Sequence, residues 1–155
     1  MPDFKTITVE ETPYLFQEAT CSMDPADIGT TMGKIFQSVW AFIQKNRIET
    51  SGKVLAVYYT YNPETMTFRA GFSVSPDAAN KGEAPIQFDR TPAGKVVYFQ
   101  HKGAYSTLRD SYGEMMSWME KERLTMGAPA WEVYLNDPAT TPEDALLTDV
   151  YVSLS

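Results

Sequence analysis

Gly127-Ala-Pro-Ala-Trp-Glu-Val-Tyr-Leu-Asn-Asp-Pro138 answers Gly52-Lys-Val-Leu-Ala-Val-Tyr-Tyr-Thr-Tyr-Asn-Pro63 at a spacing of 75 positions, with Gly52 against Gly127, Tyr59 against Tyr134 and Pro63 against Pro138. Both stretches are rich in β-branched and aromatic residues and close on Asn-Pro or Asp-Pro, the pattern of a strand running into a turn. Self-similarity at a fixed spacing marks an internal duplication, and the sequence on either side repeats in the same order. Asp24-Pro25-Ala26-Asp27 predicts a helix start, with Asp24 as N-cap and proline at the first helical position. Ile28, Met32, Ile35, Phe36, Val39, Phe42 and Ile43 then recur on one face as far as about Asn46. Residues 5–11 and 14–21 ahead of this helix read as extended, interrupted by Pro13. Residues 53–61 and 66–74 behind it form a hairpin through Asn62-Pro63-Glu64-Thr65.

The second copy follows as a strand over 94–102, a helix over 106–123 with Leu108, Tyr112, Met115, Met116 and Met119 on its apolar face, and a hairpin of 130–135 with 146–154. The helices align at a spacing of 76, which sets Phe36 against Tyr112, Val39 against Met115, Trp40 against Met116 and Phe42 against Trp118. Between the copies, residues 75–92 carry three prolines and read as a connection with a short strand at its end. The prediction is one α+β domain over residues 1–155, with repeat halves of about 1–75 and 92–155 and a linker of about 75–92. Its tandem β-α-β-β units share one antiparallel sheet, with two helices and a groove at the pseudo-two-fold axis. Neither unit alone covers both its helix and its sheet.

A chain of 155 residues is long enough to bury one sizeable core. Its net charge of −7 and 13 scattered basic residues argue against direct nucleic-acid binding, which needs clustered Lys and Arg. With a single cysteine, Cys21, there is no internal disulfide and no multi-cysteine metal site. The start carries no basic leader with an apolar run, and no apolar stretch is long enough to span a bilayer. A cytoplasmic protein without membrane segment, metal or cofactor is expected. The one histidine, His101, reads as a strand-end residue holding a backbone carbonyl, and Cys21 gains a nucleophilic role only if folding brings His101 to it.

Alternation along 130–135 puts Ala130, Glu132 and Tyr134 on one face and Trp131, Val133 and Leu135 on the other. Glu132 is the odd residue. It either faces water at a sheet edge or is buried, where it needs hydrogen bonds or a cation. At the spacing of 75 its counterpart is Val57, flanked on the same face by Tyr59 and Tyr61. If that face lines the groove, Glu132, Tyr134, Tyr59 and Tyr61 converge near the axis, a set suited to holding an organic cation or to general acid and base chemistry. Trp40 and Trp118 lie at the margins of their helical stripes, either overhanging the groove or serving as boundary aromatics.

Gly94-Lys-Val-Val-Tyr-Phe-Gln-His-Lys-Gly-Ala-Tyr105, the helix with Leu108, Tyr112 and Trp118, and Gly127 to Pro138 with its Glu-Val-Tyr-Leu-Asn-Asp-Pro ending resemble the GyrI-like small-molecule-binding, or effector-binding, family. The resemblance implies an SHS2-like tandem fold whose groove takes lipophilic, often cationic compounds, with multidrug-type breadth. It also puts the family's pocket glutamate at Glu132. The family's best-known members are effector domains fused to a DNA-binding helix-turn-helix and stand-alone gyrase-inhibitor-like proteins, and this chain reads as stand-alone. Three functions are therefore in view. The first is a binder in which Glu132 supplies charge, Tyr59, Tyr61 and Tyr134 the wall, and Trp40, Trp118 and Trp131 further lining. The second is a hydrolase of strained, cyclopropane-type electrophiles using Glu132 with Tyr59. The third is an inhibitory protein that captures a partner through its acidic surface.

Overall fold

A computed structural model describes residues 3–22, 24–61, 65–83, 86–137 and 140–155, with the side chains of 25, 51, 52, 59–61, 79 and 80 outside that description. The chain forms β1 (Lys5–Val9), β2 (Pro13–Ser22), α1 (Pro25–Lys45), β3 (Thr50–Tyr61), β4 (Thr65–Val74), β5 (Gln87–Arg90), β6 (Gly94–Lys102), α2 (Leu108–Lys121), β7 (Met126–Tyr134) and β8 (Leu147–Leu154). Short 3-10 turns occupy Pro76–Asn80, Tyr105–Thr107 and Glu143–Ala145. The hairpin turn read at Asn62-Pro63-Glu64 and the Pro138 end of the repeat motif lie outside the described residues.

Helix α1 starts where its sequence says it should. The Asp24 carboxylate accepts the Ala26 N–H at 3.0 Å, satisfying one of the donors a helix start leaves open. Both helices end alike. Arg47 and Arg123, 76 positions apart, each take a positive φ of 51° and 58°, and the next residue reaches back into the last turn, Ile48 N–H to the Ile43 carbonyl and Leu124 N–H to that of Met119. Helix α1 buries Ile35, Val39 and Ile43 against β2, β3 and β4, at roughly 2 kcal/mol of transfer energy for each side chain. Helix α2 does the same with Leu108, Met115 and Met119 against the second half of the sheet.

All strands join one antiparallel sheet in the order β1-β6-β8-β7-β3-β4-β2-β5. The two copies meet in the middle through β3 and β7, with Val54 opposite Tyr134, Ala56 opposite Glu132 and Tyr58 opposite Ala130. The duplication and its shared sheet are therefore as the sequence predicts. The sequence does not reveal an exchange at the edges. β1, which precedes the first copy, pairs with β6 of the second, while β5, lying within the predicted linker, pairs with β2 of the first.

That exchange bends the sheet. Only residues 10–12 separate β1 from β2, a reach of about 14 Å, whereas six strand spacings in a flat sheet would cover about 29 Å. The two ends must therefore curl toward each other. They meet where the connections cross, with Thr12 N–H donating to Thr91 Oγ1 at 2.9 Å and Thr91 N–H to the Thr12 carbonyl at 3.0 Å. One face becomes concave and packs Tyr14 and Phe16 of β2 with Val96 of β6 and Leu55, Val57, Trp131 and Val133 of the centre. Both helices lie on the other, convex face. Among the described residues no helix is long and apolar enough to cross a membrane.

Candidate functional site

The centre of the convex face is the seam between β3 and β7, with α1 on one side and α2 on the other. Glu132 sits there, 5% exposed, with Ala56 directly across the seam. The small alanine leaves room for the longer side chain. Three phenols turn onto the carboxylate: Tyr112 of α2 donates to Oε2 at 2.6 Å, Tyr134 donates to Oε1 at 2.7 Å, and Tyr58 reaches Oε1 at 3.5 Å. Tyr58 and Tyr134 hydroxyls are also 3.5 Å apart. No ion pair among the described residues reaches Glu132.

Burial raises the Glu132 pKa above its ordinary value, because an ionised carboxylate loses hydration there, while the bonds from Tyr112, Tyr134 and Tyr58 and the positive potential of His101 pull in the opposite direction. The same burial, joined by the carboxylate's charge, pushes the Tyr134 phenol well above its usual value. Tyr105 is raised by burial, then by Asp137 and Glu132. Tyr134 and Tyr105 thus stay protonated over the physiological range.

Aromatic rings connect the site to the surface. Tyr134 meets Tyr105 edge-on at 5.4 Å and Phe36 of α1 at 6.4 Å, and its hydroxyl lies 3.8 Å from Met32 Sδ. Phe36 in turn meets Phe72 at 5.8 Å, and Phe72 meets Trp40 at 5.3 Å. Trp40 is 43% exposed, so the run of rings passes from water to the buried carboxylate.

Of the residues singled out from the sequence, the structure brings Glu132 and Tyr134 together and sets Trp40 at the outer end of the ring path. Trp118 does not reach Glu132; it is partly buried in the core under α2, 5.9 Å from Phe4. Trp131 does not either. Strand alternation turns it to the concave face, where it stacks on Tyr151 at 5.4 Å and 12°. The side chains of Tyr59 and Tyr61 lie outside the described residues. The tyrosine of β3 that meets Glu132 is Tyr58, and Val57 pairs with Trp131 instead of sharing the Glu132 face. A bulge explains the difference. Between Tyr58 and Thr60, β3 holds one residue more than β4, so Tyr59 is the extra one and the faces exchange across it.

Tyr112, Tyr58 and Phe36 are the site residues that a spacing of 75 misses. The helix spacing of 76 finds them, since it equates Ala56 with Glu132, Tyr58 with Tyr134 and Phe36 with Tyr112. His101 is buried and holds the Ala104 carbonyl, the bland role expected of it. The Thr107 hydroxyl already donates to that carbonyl at 2.7 Å, so it accepts from Nε2–H at 3.0 Å, while Nδ1 and the Ser111 hydroxyl share a hydrogen bond at 2.7 Å. Cys21, partly buried, packs against the core under α1 and forms no dyad with His101.

The family model described as the GyrI-like small molecule binding domain matches residues 2–155. Among solved structures, the EcmrR C-terminal domain superposes with a TM-score of 0.85 at 17% identity, covering 100% of this chain and 98% of that one. A hydrolase from Listeria innocua gives 0.64 at 18%, covering 98% and 91%. SAV2435 bound to tetraphenylphosphonium gives 0.64 at 11%, covering 99% and 94%. No curated protein matches the chain.

Proposed function

We propose, because the chain belongs to the GyrI-like small molecule binding domain family, that it holds lipophilic organic cations between α1 and α2 on Glu132. The observation that carries this reading is a buried carboxylate ringed by three phenols, with no cationic side chain paired to it among the described residues. Ionised, such a group is poorly solvated. A cation whose charge is spread over an apolar body loses little hydration on entering, supplies the missing countercharge, and meets ring faces that attract it further. Tyr58, Tyr112 and Tyr134 are the wall of this site, with Tyr105 and Phe36 behind them and Trp40 at its rim. The site is closed by its own side chains, so a ligand must displace some of them, Tyr134 foremost. Occupation by a cation also favours the ionised carboxylate, so binding releases a proton wherever Glu132 is protonated beforehand.

Calorimetric titration with tetraphenylphosphonium tests this. We expect binding to wild type that strengthens as pH rises through the Glu132 pKa, and a loss of at least about tenfold in Glu132→Gln, in line with a desolvated charge pair. Equal affinity in both proteins overturns the proposal.

A second reading is favoured by the raised pKa of Glu132 and the phenol donors next to it. In it the carboxylate takes a proton from a water attacking a strained carbon, while one of the phenols protonates the carbon released when the ring opens. Incubation with a cyclopropane-bearing electrophile followed by mass spectrometry separates the two readings. A binder returns its ligand unchanged, and a hydrolase returns it heavier by one water.

A further inference from the structure

The Glu132 site makes no use of the concave face, although β7 presents its tryptophan there. A cavity of about 320 Å³ lies on that face, at the lower end of the range that holds small organic molecules. Its apolar lining comes from Leu55, Trp131, Val133 and Tyr151; Trp131 is buried and stacks near-parallel on the half-buried Tyr151, whose ring is the aromatic surface left to the cavity. The crossing connections close it from above, held to each other by the two bonds between Thr12 and Thr91.

The rim carries charge of both signs. Glu11 is engaged by Arg90 at 3.7 Å, which leaves Glu10 and Lys53 as lining residues with no ion pair among the described residues. A cation alone would meet Lys53 and an anion alone would meet Glu10. A molecule carrying both charges satisfies both, and a planar ring attached to them covers the floor. We propose that the concave cavity is a second binding site, for planar aromatic zwitterions of the aromatic amino-acid class. It takes its ligand on the face of β7 opposite Glu132 and is independent of the cation site.

The test is a titration of the ¹⁵N-labelled chain with L-tryptophan, tryptamine and indole-3-propionate, which share the ring and carry both charges, the positive one and the negative one. We expect amide shifts at residues 9–12, 53–55, 91, 131–133 and 151, and about threefold or greater preference for L-tryptophan over either analogue, as exposed charge pairs allow. Lys53→Met should abolish the preference over tryptamine, and Glu10→Gln that over indole-3-propionate. Both residues are exposed, so neither change threatens the fold. Glu132→Gln should leave all three affinities unchanged, which separates this inference from the cation-binding proposal. Equal affinity for the three compounds, shifts centred on Tyr58, Tyr112 and Tyr134, or no shift at about 10 mM ligand each overturns it.

Discussion

Across the β3 and β7 seam, the first half of the chain contributes Ala56 and Phe36 where the second contributes Glu132 and Tyr112, each pair 76 positions apart. Elsewhere the halves agree closely, down to the left-handed arginine that ends each helix and the tyrosines Tyr58 and Tyr134 on either side of the seam. The duplicated backbone builds a two-fold space between two helices, and the side chains break the symmetry at its centre. They have physical reason to do so. Directly opposed residues in an antiparallel pair have Cβ atoms about 5 Å apart, so a symmetric pair of buried carboxylates could not both ionise. One glutamate opposite one alanine gives a single charge with room around it.

Restoring the symmetry should therefore do the most damage. Ala56 is fully buried, and Ala56→Glu would add bulk and a second carboxylate beside the first. We expect a loss of about 3 kcal/mol or more at pH 7, measured by urea unfolding, with partial recovery near pH 4, where both carboxyls accept protons. A variant as stable as wild type at pH 7 would mean that the seam is wetter or looser than its burial indicates.

Removing the charge sharpens the comparison from the other side. Glu132 has a folded pKa above its ordinary 4.5, so over the window between those values the folded chain keeps a proton that the unfolded chain has lost. Its contribution to stability is fully present below about 4.5 and is lost as pH rises through the folded value. Glu132→Gln has no such loss. Its stability relative to wild type should rise by about 1.4 kcal/mol for each pH unit that the window spans, while its affinity for tetraphenylphosphonium falls. Thermal unfolding from pH 4 to 9 reads the first effect, and a pH-independent difference would contradict it.

Tyr112 is the other half of the asymmetry, because Phe36 cannot donate a hydrogen bond. Tyr112→Phe deletes the 2.6 Å bond to Glu132 Oε2. That should cost about 1–2 kcal/mol where the carboxylate is ionised and less where it is protonated, and raise the Glu132 pKa further. The ¹³C shift of the Glu132 carboxyl during titration measures this directly, and an unchanged midpoint would show that Tyr134 and Tyr58 suffice.

The duplication, both helices and the odd carboxylate were legible because each leaves a local mark: an N-cap followed by proline, a helical stripe, a charge inside an apolar strand. The tyrosine partners were harder to see. A bulge at Tyr59 adds one residue to β3, so Tyr59 and Pro63 answer their counterparts at a spacing of 75 while the helix, Ala56 and Tyr58 answer theirs at 76. Side-chain faces reverse across that single residue, which moved the expected contact from Tyr58 to Tyr59. The edge exchange of β1 and β5 left no mark, since strand partners distant in sequence are set by the closing of the sheet and not by local pattern. Trp131 shows the same limit. Its alternation was clear, yet only the curl of the sheet reveals a second face able to enclose it.

The smallest effect belongs at the rim. Trp40 and Met116 occupy equivalent positions on α1 and α2 and are both exposed, at 43% and 53%. If the ring path through Phe72 and Phe36 is how a lipophilic cation reaches Glu132, the equivalence is one of position only. Trp40 offers a broad π-face continuous with that path, while Met116 offers a flexible thioether in place of a ring. Trp40→Ala should then weaken tetraphenylphosphonium binding about threefold, the scale of an exposed cation–π contact, with stability nearly unchanged. Met116→Ala should alter neither. Equal losses from both would make the rim two-fold symmetric and confine the asymmetry of the site to Glu132 and the phenols that hold it.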